Sequence, residues 1–244
     1  MCTGVGEDRV DDRFSKIDWA SYDLSIHGGD VLCQTSKEPE RLKRACDTFG
    51  FLDSNSIWVK GNHDDDSLEL LRSYTQETDP FRVNSNGLVT FITFDYFMTD
   101  DPFNSDYFVK RLRNLDLKNT KHLVILTHYL YWAYDHPELE GLDKTVSNVE
   151  VCEHSDWCLF PNDFMEKVYP ILTRFKDNGV FDVICLAGDA GTRRRTFEYK
   201  DQNGIDFLAC GVNNESPSDS VIVFNTLADV GLSWEFVALD DLID

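Results

Sequence analysis

The chain has 244 residues, 42% apolar and 13% aromatic, with 23 Lys plus Arg against 44 Asp plus Glu and a formal net charge of −21. That is a globular composition, and its acidity disfavours extended nucleic-acid binding, which needs clustered cations. No apolar run reaches the roughly 18 residues of a membrane span, and the opening MCTGVGEDRVDDR lacks the apolar core of a signal peptide, so a cytoplasmic protein without a membrane partner is expected.

In chain order, YDLSI (22–26) reads as a strand ending at Gly28-Gly29. EPERLKRACDTFG follows as a helix, with Pro39 near its start and Gly50 at its end. SIWVK is the next strand, and DDSLELLRSY a helix whose first turn is acidic, as the helix dipole favours. LVTFITFD (strand), SDYFVKRLRNL (helix) and HLVILTH (strand) complete the alternation. A polar and aromatic segment, about 129–161, shows no period and reads as a long loop of the functional kind. Its aromatics in HYLYWAYDH either wall a cleft or cover the sheet edge, and His136 and His154 are possible cleft residues. NDFMEKVYPILTRFKDNG restores a helix broken or kinked at Pro170, and FDVICLAGD is a buried strand. TFEYK, IDFLACG, VIVFN and SWEFVAL close the chain as consecutive strands, the first two joined through the hairpin signal DQNG. The pattern predicts one layered α/β domain over residues 1–244.

Seven cysteines (Cys2, Cys33, Cys46, Cys152, Cys158, Cys185 and Cys210) form no CxxC pair, which suits reduced thiols. CEHSDWC, with Cys152, His154 and Cys158, lacks standard zinc spacing and reads as a polar loop.

The chemistry-bearing residues fall at strand ends. HGGD places Asp30 past the first strand, and GNHD places Asn62, His63 and Asp64 past the second. LTH puts His128, and LAGD puts Asp189, at the ends of two later strands. Singly, such an Asp reads as a cap or loop anchor and such a His as a structural residue. Together they gather beyond the carboxyl ends of the strands, where open α/β sheets build their sites. Arg193, Arg194 and Arg195 follow closely, either as phosphate contacts or as a solvated turn. His27 reads as packing or as support behind the site.

These motifs resemble those of the calcineurin-like metallophosphoesterases, whose pattern runs Asp-x-His, Gly-Asp-x-x-Asp, Gly-Asn-His-Asp/Glu, a lone His, then Gly-His-x-His. GGD, GNHD, LTH and GDAG carry the likeness between about Tyr22 and Gly211. The resemblance implies a β-sandwich flanked by helices and hydrolysis of phosphate mono- or diesters by metal-activated water. It assigns Asp30, Asn62, His128 and Asp189 as metal ligands and His63 as general acid, with Arg193 and Arg195 as candidate substrate contacts. Such oxygen and imidazole donors suit Mn, Fe, Zn or Mg. Three departures matter. Asp-x-His and its strand are absent, so the first strand is expected either upstream of Met1 or lost; Cys33 replaces the second Asp of its motif; and GDAG carries Asp189 and Gly191 for two His. The remaining residues match the holders of a single divalent ion. Two readings follow: a manganese-type phosphatase acting on a phosphorylated small molecule or other phosphoester, or a catalytically silent binding or scaffold domain of the same fold.

Overall fold

The computed structural model describes residues 11–31, 37–64, 67–95, 105–139, 161–190, 196–212, 216–227 and 231–243. Strand β1 (Ser25–His27) pairs in parallel with β2 (Ser56–Trp58), Ile26 lying opposite Ile57. Both are shorter than their apolar runs suggest. Helix α1 (Pro39–Phe49) connects them; its proline sits in the first turn, where a missing N–H costs nothing, and Gly50 ends it in the left-handed region at φ 62°. Leu42, Ala45, Cys46 and Phe49 form its buried stripe. Helix α2 (Leu68–Thr75) is capped by Ser67, whose Oγ accepts from the Leu70 amide at 3.2 Å.

A six-stranded sheet forms the centre. Strands β3 (Phe81–Asn86), β4 (Val89–Phe94), β5 (His122–Thr127), β6 (Asp182–Ala187), β7 (Thr196–Lys200) and β8 (Asp206–Cys210) stand in the order β3-β4-β5-β6-β8-β7. The four inner strands are parallel, and β3 and β7 pair antiparallel at the two edges. Strand β3 is an addition to the sequence reading. Only Phe81 within it is buried, so its residues show no alternation; the turn residues Asn86 and Gly87 (φ 60°) were the one available sign of the hairpin. Strands β9 (Ser220–Leu227) and β10 (Gly231–Ala238) make a separate antiparallel pair.

The period of two along the central strands sorts their side chains into two cores. Leu123 and Ile125, Val183 and Cys185, and Phe207 and Ala209 face one side. There α3 (Asp106–Arg113) covers the sheet through Phe108, Val109 and Leu112, and α4 (Tyr169–Asp177) through Ile171 and Leu172. A turn of π-helix, Phe164–Val168, precedes α4, and Pro170 lies in the first turn after the change of pitch. Val124, Leu126, Ile184, Leu186 and Leu208 face the opposite side, meeting Ile26, Ile57 and Val59 from the β1–β2 pair and Ile222, Phe224, Trp234 and Phe236 from the β9–β10 pair. A third core, with Phe14, Leu42, Phe49 and Trp58, lies on the far side of β1–β2 under α1. The result is a layered β-sandwich with helices outside it, the expected fold class.

The segment after β5 departs from both alternatives for its aromatics. Tyr129, Leu130, Tyr131 and Trp132 are buried inside the helix-side core, Trp132 against the rings of Phe197 and Phe207. His136 is buried too, edge-on to Phe207, Tyr169 and Tyr199, so it lines no open cleft. His154, Cys152, Cys158 and Cys33 lie outside the described residues, while Cys46, Cys185 and Cys210 are free thiols. Among the described residues no helix is long and apolar enough to cross a membrane.

Candidate metal centre

The loops following β1, β2, β5 and β6 meet where the two strand layers touch. Gly28 and Gly188 bring their backbones together: a Cβ on Gly28 would stand 2.4 Å from the Gly188 Cα, and one on Gly188 would stand 2.3 Å from the Gly28 carbonyl oxygen. No other residue permits that approach. Gly61 is equally confined, because a Cβ there would fall 2.1 Å from Asp30 Oδ1. The glycines of HGGD, GNHD and LAGD thus let the layers close to contact and leave the following side chains to fill the seam.

Into that seam come Asp30, His128 and Asp189, whose ligand-type atoms all lie within 4.8 Å of one another. His128 Nε2 stands 3.4 Å from Asp30 Oδ1, 4.0 Å from Asp189 Oδ2 and 3.2 Å from Asn62 Oδ1. Its Nδ1 is 2.7 Å from the Gly28 carbonyl, which can only accept, so Nδ1 carries a proton and Nε2 is the nitrogen turned to the cluster. The His128 carbonyl in turn accepts the amides of Gly188 and Asp189, at 3.2 and 3.1 Å, which fixes Asp189 beside it. Asp30 adopts φ 55°, a left-handed conformation uncommon for a residue with a side chain, and its Oδ1 accepts the His63 amide at 3.0 Å. The four residues predicted as ligands are therefore brought together, and His63 stands on the same loop with its backbone tied to Asp30.

Burial would raise the Asp30 carboxyl, but the charge and hydrogen bond of His128 outweigh it and hold the group below the usual carboxylate range. Burial would likewise lower the His128 imidazole, yet Asp30 and, less strongly, Asp189 push it up to about 9. The half-buried Asp30 and the buried Asp189 carboxylates thus favour a positive charge in the seam. Oxygen and imidazole donors at this spacing fit a hard or borderline divalent cation.

Asp64, grouped in the sequence with the chemistry-bearing residues at the strand ends, joins the loops together. Its fully buried carboxylate accepts the amides of Asp30 (2.8 Å), Val31 (3.1 Å) and Gly61 (2.9 Å), binding the first two loops together. His27 packs its ring against Trp19, Phe49 and Phe51, the first of the two roles considered for it. Arg193, Arg195 and Gly191 lie outside the described residues.

No family model and no curated protein matches this chain. Among solved structures it is similar to a dimetal phosphatase from Danio rerio, at 14% identity and a TM-score of 0.54, over 90% of this chain and 82% of that one. It is also similar to the purple acid phosphatase PPD1 from yellow lupin (Lupinus luteus) seeds, at 13% identity and a TM-score of 0.50, over 92% of this chain and 42% of that one. The fold is therefore shared with these two phosphatases, and it is the layered α/β class that the sequence led us to expect.

Proposed function

We propose that this chain is a metal-dependent phosphoesterase acting on phosphate mono- or diesters. The observation that carries the reading is the convergence of Asp30, His128 and Asp189 from three separate loops on one buried point, with the Asn62 amide oxygen beside them. In this reading the four residues hold one divalent ion, manganese being the first to try, and the substrate is a phosphorylated small molecule or other phosphoester. Among the described residues this is the single cluster of the kind. A divalent ion bound there would lower the pKa of a coordinated water and offset charge developing on the phosphoryl oxygens.

The chain's own residues supply the rest. His128 is held in one tautomer by Gly28, so its Nε2 lone pair becomes available once the proton leaves. Metal binding therefore displaces a proton. His63 is the general acid, giving a proton to the leaving oxygen; its backbone bond to Asp30 keeps the loop that carries it in register with the ligands. Arg193 and Arg195, four and six positions beyond Asp189, are candidate contacts for the phosphoryl group by virtue of their planar donor fork.

The test is hydrolysis of p-nitrophenyl phosphate and bis-p-nitrophenyl phosphate with manganese, comparing the unaltered chain with Asp30→Ala and His63→Ala. Asp30→Ala should abolish manganese binding and turnover together. His63→Ala should keep the ion and lose about 10²-fold or more in kcat, the usual worth of a general acid. Tight manganese binding without turnover of either ester would instead support the silent binding domain, and two equivalents of bound manganese would overturn the one-ion reading.

A further inference from the structure

Directly behind the loop bearing Asn62 and His63 sits a quartet of charges that the metal chemistry does not use. Lys60, the residue before Gly61, is 1% exposed. Its ammonium pairs with Glu77, lies 3.4 Å from Asp95 Oδ2 and donates to the Trp58 carbonyl at 3.3 Å. Arg82, on β3, reaches the same three partners: Asp95 Oδ2 at 2.9 Å, Glu77, and the Trp58 carbonyl. Asp95, fully buried just past β4, also accepts the Lys60 amide at 2.8 Å through Oδ1.

Two cations and two carboxylates balance, so no net charge is buried. Withdrawing such ions from water still costs several kcal/mol each, and an apolar set of similar volume commonly stabilises a fold as well or better. What the quartet supplies that an apolar set does not is direction. It ties residue 60 to the end of β4 through its backbone and, through the carboxylates of Glu77 and Asp95 that its side chain shares with Arg82, indirectly to β3, so the chain leaves β2 at a fixed angle. Four residues later Asp64 ties the other end of the loop to Asp30, Val31 and Gly61. Asn62 and His63 lie between these two anchors.

We propose that Lys60, Arg82, Glu77 and Asp95 are positioning residues that set how Asn62 and His63 are presented to Asp30 and His128. The proposal rests on the phosphoesterase reading of the site and extends it to residues that touch neither ion nor substrate. Support of this kind behind a metal site is worth about 10–100-fold in affinity or activity.

The experiment uses the whole chain and compares Lys60→Met and Asp95→Asn with Lys200→Met, which breaks an ion pair to Asp206 between β7 and β8, away from the loop. Three quantities are measured: amide hydrogen exchange at residues 61–64 in the metal-free protein, manganese affinity by electron paramagnetic resonance, and kcat and KM on bis-p-nitrophenyl phosphate. Lys60→Met and Asp95→Asn should speed exchange at 61–64 by about 10-fold more than at β5. They should also weaken manganese by about 10-fold and lower kcat by more than KM rises. Lys60→Arg should recover part of each loss, and Lys200→Met should show none of the three. If Lys60→Met does not fold, Arg82→Lys, which keeps the charge and loses the fork, carries the same comparison. Exchange at 61–64 that moves only in step with β5, with manganese affinity and kcat unchanged, overturns the proposal and leaves the quartet a structural pair of salt bridges. If the unaltered chain hydrolyses neither ester, the phosphoesterase reading fails by itself, while the exchange and manganese measurements still decide the role of the quartet.

Discussion

Asn62 Oδ1 and His128 Nε2 stand 3.2 Å apart, yet the chain around each is held by different chemistry. The loop after β2 is fixed by buried ions: Asp95 at its start and Asp64 at its end, each taking backbone amides. The segment after β5 is fixed by apolar mass, with Tyr129, Leu130, Tyr131 and Trp132 all sunk in the core directly behind His128. Buried ions fix direction but leave a charge or amide stranded when one partner goes. Packed rings supply stability that does not depend on the orientation of any one bond. A site assembled from both should fail in two distinguishable ways.

The larger effect should come from the ionic side. Asp64→Ala strands the amides of Asp30, Val31 and Gly61, each hydrogen-bonded to a charged acceptor. At about 1.5–3 kcal/mol for such a bond, roughly 5 kcal/mol of stability should go. Manganese affinity should fall with it by about 10-fold or more, because the two loops carrying Asp30 and Asn62 are no longer joined. Thermal melting and manganese titration of the same preparation check both; lost stability with unaltered affinity would show that the ionic anchors are not what aligns the ligands.

Trp132→Ala tests the other side. Removing a ring packed on Phe197 and Phe207 should cost about 3–5 kcal/mol, the usual range for a buried aromatic. Manganese affinity per folded molecule should stay close to that of the unaltered chain, since His128 is oriented by the Gly28 carbonyl rather than by the ring. A parallel loss of affinity would erase the contrast between the two loops.

Much of this was readable before any coordinates. The glycine that precedes Asp30, Asn62 and Asp189 marks each turn, and the strand ends place all four ligand-type residues at one edge. What resisted reading was polar and distant in sequence. Lys60 and Asp95 are 35 positions apart, and nothing in VKGNHD or TFD says that the lysine is buried against that aspartate. Strand β3 escaped because an edge strand needs one buried residue and a turn, not an alternating pattern. The segment after His128 misled in the opposite direction: four successive buried residues have no helical or strand period, so a piece of core looked like a loop lining.

The smallest predicted effect belongs to His27, the last residue of β1. Its ring lies among Trp19, Phe49 and Phe51, and among the described residues its Nε2 has no hydrogen-bond partner. Burial lowers its pKa to about 3, against an ordinary value of 6.5. The folded protein therefore keeps His27 neutral in a range where the unfolded chain binds a proton. Stability from this group is complete above about pH 6.5, declines as pH falls below it, and stops declining near pH 3. His27→Phe removes the proton-binding group while keeping an aromatic ring in the cage. Between pH 8 and pH 5 the unaltered chain should lose about 2 kcal/mol relative to this variant, read as the difference in urea midpoints at the two pH values. Equal losses in the two proteins would mean that the cage admits the charged imidazole. In that case β1 would be anchored by something other than the apolar packing that surrounds its last residue.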